Sequence, residues 1–297
     1  MALEDGTVIK TGSRARKSSA ALDLTSLLVG SEGVLGVITE VALRLHARPS
    51  AVAAAICAFD STDGAVATVV EALAAQVPLA RAELLDPLSL RAVALRFPEL
   101  RAELPAPGCS ALFLEFGGAS ERELQEQVAT VEGIAGAHGQ RGAFRFAHGE
   151  EGRARLWKAR HHAYWASMQL RPGCRALPTD VCLPLSSMAT CIKETVDDLR
   201  RCGLEAPLFG HVGDGNFHVI LLAREDETEA YLETLFAFND RLVQRALDAG
   251  GTCTGEHGVG YGKRKWLPLE HGAAVEAMRS IKRALDPDSR LNPGKKF

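Results

Sequence analysis

The sequence predicts an α+β protein in which a sheet is covered by helices. Two observations point there. After Pro49, short apolar runs of strand character keep alternating with longer runs whose apolar residues fall at helical spacing. The chain is also long enough to bury such a core, at 297 residues of which 46% are hydrophobic.

The elements follow in order. Up to about Arg48 there are turn signals at Glu4-Asp5-Gly6, a charged Gly/Ser/Arg/Lys loop at 12–19 and a dense glycine segment, GSEGVLG. ITEVALRL then sets Ile38, Val41, Leu43 and Leu45 close to period 2, which predicts a loop feeding a strand. Beyond Pro49, AVAAAICAF, ARAELL and SALFLEF read as strands. TDGAVATVVEALAAQV, PLSLRAVALRF and about Ser120 to Ala137 read as the helices between and after them. Strands separated by helices of this length suggest βαβ-type units. RGAFRFA is a further strand, followed by one long helix from about Gly149 to Leu170.

In SSMATCIKETVDDLRRCG, Met188, Ile192, Val196 and Leu199 share a helix face, Ser186 can cap the start and Gly203 ends it. A helix from about Glu225 to Ala249 is expected to bury Leu232, Leu235, Phe236, Val243 and Leu247 before Gly250-Gly251 stops it. A final helix around Ala273 to Leu285 leads into the turn-rich LDPDSRLNPGKKF. No repeat of fixed period and no low-complexity tract occurs.

Composition removes several classes of function. Charges are interspersed and sum to −3, so nothing favours nucleic acid. No apolar run reaches the roughly 18 to 20 residues of a membrane span, and MALEDGTVIKTG has no cationic region followed by an apolar core. Seven cysteines without a CxxC pair are expected to be free thiols in a reducing compartment.

The most informative stretch is HVGDGNFH, His211 to His218. With Asp214-Gly215 as a two-residue hairpin turn, Gly213 faces Asn216, Val212 faces Phe217 and His211 faces His218. The two imidazoles would then be cross-strand neighbours, with Cβ atoms roughly 4.5–5.5 Å apart, and could share one divalent ion. The alternative is a solvated tight bend with two incidental histidines. CTGEHGVG adds Glu256 and His257 between glycines that allow close backbone approach, the alternative being a loop whose Glu and His are merely exposed. In an extended backbone these two side chains point to opposite sides, so Glu256 can turn to an ion while His257 faces another target. His211, His218 and Glu256 make a complete open metal set for zinc, manganese or iron. The helical HExxH of zinc proteases is absent, which makes metal-dependent hydrolysis the lesser metal hypothesis.

GSEGVLGVITEVALRL, HVGDGNFH, TCTGEHGVGYGKR and LDPDSRLNPGKKF, in that order, resemble the C-terminal region of FAD-linked oxidases. That family includes D-lactate dehydrogenase (cytochrome), the glycolate oxidase flavin subunit and D-2-hydroxyglutarate dehydrogenase. LWKARHHAYWASMQLRPGCRALPTDVCLP looks closest to the D-lactate branch. The resemblance implies a large, mainly antiparallel sheet with helices over one face as a substrate or cap domain at 49–252. It also implies the C-terminal remnant of an FAD-binding domain at 1–48 and a segment at 253–297 that carries the Glu-His motif and returns to the FAD domain. Members carry further N-terminal sequence, including the loop around the flavin pyrophosphate, so an N-terminally truncated chain is expected.

The same resemblance implies residue roles. His211, His218 and Glu256 hold the ion, Asn216 lies near the substrate and His257 is the general base that also contacts substrate. Arg160 clamps the substrate carboxylate, for which its two parallel hydrogen bonds suit it; the residue type alone equally allows a helix-surface pair with a neighbouring Glu. Gly30, Ser31, Gly33, Gly36, Val37 and Asn292 contact FAD. His161 and His162 match no ligand position, and Trp157, Tyr164 and Trp165 are expected in the core or pocket wall. Where the D-2-hydroxyglutarate branch has a lysine two residues before the aspartate that aligns with Asp180, this sequence has Pro178. A monocarboxylic 2-hydroxy acid with a small or apolar tail is thereby favoured.

The implied activity is FAD-dependent oxidation of a D-2-hydroxy acid, with electrons passing to a cytochrome, quinone or electron-transfer flavoprotein. The location is cytoplasmic or membrane-associated in a bacterium and mitochondrial in a eukaryote, and a homodimer is compatible. A catalytically incompetent metal- and substrate-binding fragment stands as the alternative.

Overall fold

The computed structural model describes residues 1–147 and 149–297. Its first half runs α1 (Leu24–Leu28), β1 (Ala51–Phe59), α2 (Thr62–Ala74), β2 (Leu79–Leu85), α3 (Pro87–Arg96), β3 (Ser110–Gly118), α4 (Glu121–Ala137) and β4 (Gln140–Ala147). Next come α5 (Gly149–His161), α6 (Ala163–Ser167), β5 (Arg175–Pro178), β6 (Val181–Cys182) and α7 (Leu185–Arg201). The chain finishes with β7 (Leu208–Gly210), β8 (Asn216–Ala223), α8 (Glu229–Asp248), α9 (Leu267–His271) and α10 (Ala274–Leu285). It divides into two compact units, Arg48–Thr252 and the paired segments Met1–Ala47 and Cys253–Phe297.

Within Arg48–Thr252 the strands form one sheet in the order β4-β1-β3-β2-β7-β8-β5, with β6 also paired to β8. Every pairing is antiparallel. The βαβ expectation therefore needs correcting. β1 and β2, joined by α2, do run in the same direction, but β3 inserts between them and is antiparallel to both. Local alternation of elements cannot reveal such an insertion, because the strand that fills the gap arrives later in the chain.

Helices cover both faces of the sheet, not one. Ile56, Leu85, Phe113, Phe209 and Ile220 pack with Leu90 of α3, Leu156 and Trp157 of α5 and Ala163 of α6. The alternate residues Leu84, Leu112 and Leu114 are buried as well, where α2 and α4 pack against β1 and β3. A strand enclosed on both sides loses its polar alternation, which is why SALFLEF is an almost continuous apolar run.

Local chemistry explains most helix starts. Ser61, Asp86, Ser120 and Thr228 each accept a backbone N–H from the first turn of the helix they precede. The α7 helix begins at Leu185 after Pro184, with no side-chain cap, so Ser186 lies inside its first turn. Gly203, at φ +64°, ends it as expected. The long helix predicted from Gly149 breaks at His162 into α5, α6 and a short 3₁₀ turn. In α8 the buried stripe is Leu235, Phe238, Leu242, Val243 and Ala246, while Phe236 is 58% exposed. Apolar residues at 232, 235, 236 and 238 allow either face at helical spacing, and only packing selects one.

Met1–Ala47 with Cys253–Phe297 has a smaller core, in which Leu28, Val34 and Leu35 are joined by Ile281, Leu285 and Phe297. The strand predicted over ITEVALRL does not form. A strand persists only where a neighbour takes up its backbone groups. Among the described residues the adjacent pairing is a single bridge from Val37 to Ala2, and Leu43 and Leu45 are 78% and 90% exposed. All seven cysteines are free thiols.

Candidate functional site

HVGDGNFH folds as a hairpin with a longer turn than the Asp-Gly signal predicts. Leu208 pairs with Val219 and Phe209 with His218. Residues 211–215 make the turn, in which the N–H groups of Asp214 and Asn216 both donate to the His211 carbonyl. Phe209, not His211, therefore sits opposite His218. The register has moved by two residues, and because side chains alternate with period 2 His211 stays on the face of His218. It reaches that ring on the diagonal, with centroids 5.9 Å apart and planes at 86°.

Two glycines enforce this geometry. A Cβ at Gly210 would lie 2.4 Å from the Phe217 Cα, and one at Gly215, which has φ +82°, would lie 2.2 Å from the Leu183 carbonyl oxygen.

An oxygen orients each imidazole. His218 Nδ1 is 3.0 Å from the Thr179 carbonyl, and His211 Nδ1 is 2.7 Å from Glu83 Oε1. A carbonyl and a carboxylate only accept, so both Nδ1 atoms carry the proton and each neutral ring carries its lone pair on Nε2. Two such lone pairs on one sheet face form a donor set that fits zinc, manganese or iron. Asn216 completes this corner. Its Nδ2 donates to Asp180 Oδ1 at 2.8 Å and to the Val181 carbonyl at 2.9 Å. Its buried Oδ1 has no donor among the described residues.

Arg160 comes down from α5 onto the same face. Its Nε donates to Glu83 Oε2 at 2.9 Å, its guanidinium lies 5.1 Å from the Phe209 ring centroid, and it and Glu83 are 11% exposed. Its ion pair is thus with strand β2 and not with a neighbour on its own helix. Glu83 was invisible as a site residue in ARAELL, which reads only as a strand. The available signal is a carboxylate within a stretch, Ala82–Leu85, that is otherwise apolar and entirely buried.

The other aromatic and histidine residues of this segment divide. His161 stacks on Trp157 with centroids 6.2 Å apart; burial, then the charges of Arg81 and Arg160, hold its pKa below the usual imidazole range. His162 packs on Phe97. Trp157 is buried, as expected, but Trp165 is 60% exposed and lies outside the core.

Glu256 and His257 belong to the other unit, where the backbone bends at 255–257. The bend turns the two side chains toward each other, with Oε1 and Nε2 3.7 Å apart, instead of to opposite sides as an extended backbone would. Behind them Glu32 accepts the N–H groups of Val259 and Gly260 at 2.9 and 2.8 Å. Burial alone would raise the Glu32 pKa, but those hydrogen bonds and Lys296 outweigh it and hold the carboxyl below its usual range.

The glycine loop is in the same unit. The Asn292 amide donates to the Glu32 carbonyl and packs 3.7 Å from where a Gly33 Cβ would be. Val37 exchanges backbone hydrogen bonds with Ala2, against whose carbonyl Gly36 is closely packed, and Ser31 is buried. Gly30, at φ +79°, has open space where a Cβ would stand, so a cofactor can approach its backbone.

The family model for FAD linked oxidases, C-terminal domain, matches residues 48–296. A probable mitochondrial D-lactate dehydrogenase of Danio rerio is 45% identical over 297 residues, covering 99% of this chain and 58% of the relative. The mitochondrial D-lactate dehydrogenase (cytochrome) of Arabidopsis thaliana is 40% identical, covering 99% and 50%. Glycolate oxidase subunit GlcD of Bacillus subtilis is 32% identical, covering 99% and 61%. The chain thus spans about half the length of the curated relatives it matches. Among solved structures, 4-ethylphenol oxidase from Gulosibacter chungangensis superposes with a TM-score of 0.74 over 99% of this chain and 64% of the other, at 17% identity, a likeness of fold alone.

Proposed function

Because the chain belongs to the family of FAD linked oxidases, C-terminal domain, we propose that it carries the substrate- and metal-binding machinery of an FAD-dependent D-2-hydroxy-acid dehydrogenase acting on D-lactate or a similar monocarboxylate. The observation that carries this reading is the group formed by His211, His218 and Arg160 on one sheet face, two imidazoles oriented for an ion beside a guanidinium suited to a carboxylate. The names of the relatives, D-lactate dehydrogenases before glycolate oxidase subunits in identity, support the substrate class.

In this mechanism His211, His218 and Glu256 hold a divalent ion, and Gly30, Ser31, Gly33, Gly36, Val37 and Asn292 contact FAD. When bound, FAD supplies a two-electron hydride acceptor, and the ion supplies positive charge at the substrate hydroxyl. Arg160 binds the substrate carboxylate through its terminal nitrogens and so fixes which hydrogen on the 2-carbon faces the acceptor. Asn216 Oδ1 accepts a hydrogen bond from the substrate. His257 takes the hydroxyl proton as general base. Pro178 offers no charge to a second carboxylate, so the substrate tail is small or apolar.

Electrons pass on to a cytochrome-type acceptor, as the name of the Arabidopsis relative suggests, and in a eukaryote the site of action is the mitochondrion. No helix among the described residues is long and apolar enough to cross a membrane.

The test is dye reduction by the FAD-supplemented protein with D-lactate and L-lactate, together with metal analysis. The expected result is activity with the D-enantiomer only, lost in His257→Gln and on chelation. Ester or peptide turnover without an electron acceptor, and none with D-lactate, would overturn the reading in favour of a hydrolase.

A further inference from the structure

We propose that Glu83 is a positioning residue that holds the metal-binding imidazole of His211 and the carboxylate clamp Arg160 in one fixed relationship, an inference that rests on the function proposed above. Glu83 lies on β2, whose partners across β7 are Gly210 for Leu84 and Phe209 for Leu85. One more step in that register sets Glu83 opposite His211, and the Gly213 N–H donating to the Ala82 carbonyl at 3.2 Å ties the turn to this end of the strand. The side chain then divides its two oxygens, Oε1 to His211 Nδ1 at 2.7 Å and Oε2 to Arg160 Nε at 2.9 Å.

Both partners present an N–H at those contacts, so the bridging group must offer two acceptors. A carboxylate does; the amide of glutamine offers one acceptor and one donor, and would either set N–H against N–H at one contact or move the His211 proton to Nε2, where it blocks the ligand lone pair. A purely structural ion pair would need only the arm to Arg160. The second arm fixes the His211 proton on Nδ1 and keeps the ring's lone pair at Nε2, the arrangement in which a carboxylate makes an imidazole a better ligand. The first arm engages Arg160 through Nε, which turns the edge made by its two terminal nitrogens away from Glu83 and toward a substrate carboxylate. One side chain therefore aligns the ion and the clamp that grip the two ends of a 2-hydroxy acid, the hydroxyl and the carboxylate.

The experiment measures Mn²⁺ affinity of the 297-residue chain by the electron paramagnetic resonance of free ion, and the visible spectrum of the Co²⁺ form. It compares wild type, Glu83→Gln, Glu83→Asp and Arg160→Lys. Glu83→Gln is expected to weaken Mn²⁺ binding by about 10- to 100-fold and to shift the Co²⁺ bands, a change that loss of fold stability alone does not produce. Glu83→Asp keeps two acceptors on a shorter arm and is expected to recover part of the loss, and Arg160→Lys to stay within about threefold of wild type.

Wild-type affinity and an unchanged Co²⁺ spectrum in folded Glu83→Gln would overturn the role of Glu83 while leaving the proposed function standing. Should that variant not fold, Glu83→Asp decides, and Mn²⁺ affinity equal to wild type would overturn the role. A wild-type chain that binds no Mn²⁺ or Co²⁺ would overturn the metal assignment and this inference together.

Discussion

Phe209 stands directly across the hairpin from His218, and His211 meets the same imidazole from two residues further along the strand direction. The placement of the two imidazoles therefore depends on the length of the turn and not on direct pairing of the histidines.

Gly215 is the point where that turn can be broken. A side chain there would need a left-handed backbone and would press on the Leu183 carbonyl. Gly215→Ala is expected to cost about 2–4 kcal/mol, lowering Tm by roughly 5 °C or more, and to reduce bound metal in the protein that remains folded. Calorimetry with metal analysis checks both. An unchanged Tm would show that the turn accommodates the methyl group.

Arg160→Lys preserves charge but replaces a planar fork by a point charge. The expected kinetic signature is a KM for D-lactate raised by about 10- to 100-fold, roughly 1.4–2.7 kcal/mol of lost binding, with bound metal retained. Equal KM values in wild type and variant would remove Arg160 from the substrate.

Asp86 provides a pH test separate from the site. This carboxylate caps α3 by accepting the Ser89 N–H at 2.7 Å, and burial pushes its pKa up to about 6 despite that hydrogen bond. A raised folded-state value means its stabilising contribution is complete below the unfolded value near 4 and is lost as pH rises through about 6. Asp86→Asn caps the helix without ionising. It is expected to exceed wild type in stability at pH 8 by up to about 3 kcal/mol and to match it at pH 4. Denaturant melts at the two pH values check the sign, and an equal difference at both would contradict it.

The exposed stretch around Leu43 and Leu45 makes a prediction about solution behaviour. Backbone that pairs with no strand among the described residues, beside exposed apolar side chains, favours pairing between chains. Leu43→Glu with Leu45→Glu is expected to reduce light scattering at high concentration while moving Tm by no more than about 2 °C, because neither side chain is buried.

The candidate residues of the proposed site were chosen without coordinates, from HVGDGNFH and GEHG, where histidine, carboxylate and glycine stand close together in the sequence. Strand and helix positions were legible because capping at Ser61, Asp86 and Ser120 and the periodicity of α2 to α4 are local. What failed depended on partners distant in sequence. ITEVALRL alternates correctly but has no neighbouring strand to pair it among the described residues. Phe236 and Phe238 compete for one helix face.

The sequence by itself determined the inventory, two histidines near a turn, an arginine on a helix and an apolar alternation that demands a covered sheet. Only the tertiary structure decided how they meet. The insertion of β3 between β1 and β2 comes from strand pairings well separated in sequence, the arrival of Glu83 between His211 and Arg160 from contacts 77 and 128 residues apart, and the two-residue shift that puts Phe209 opposite His218 from backbone closeness at a glycine. Such contacts are selected by packing and hydrogen-bond satisfaction across the whole sheet, and no local pattern encodes them.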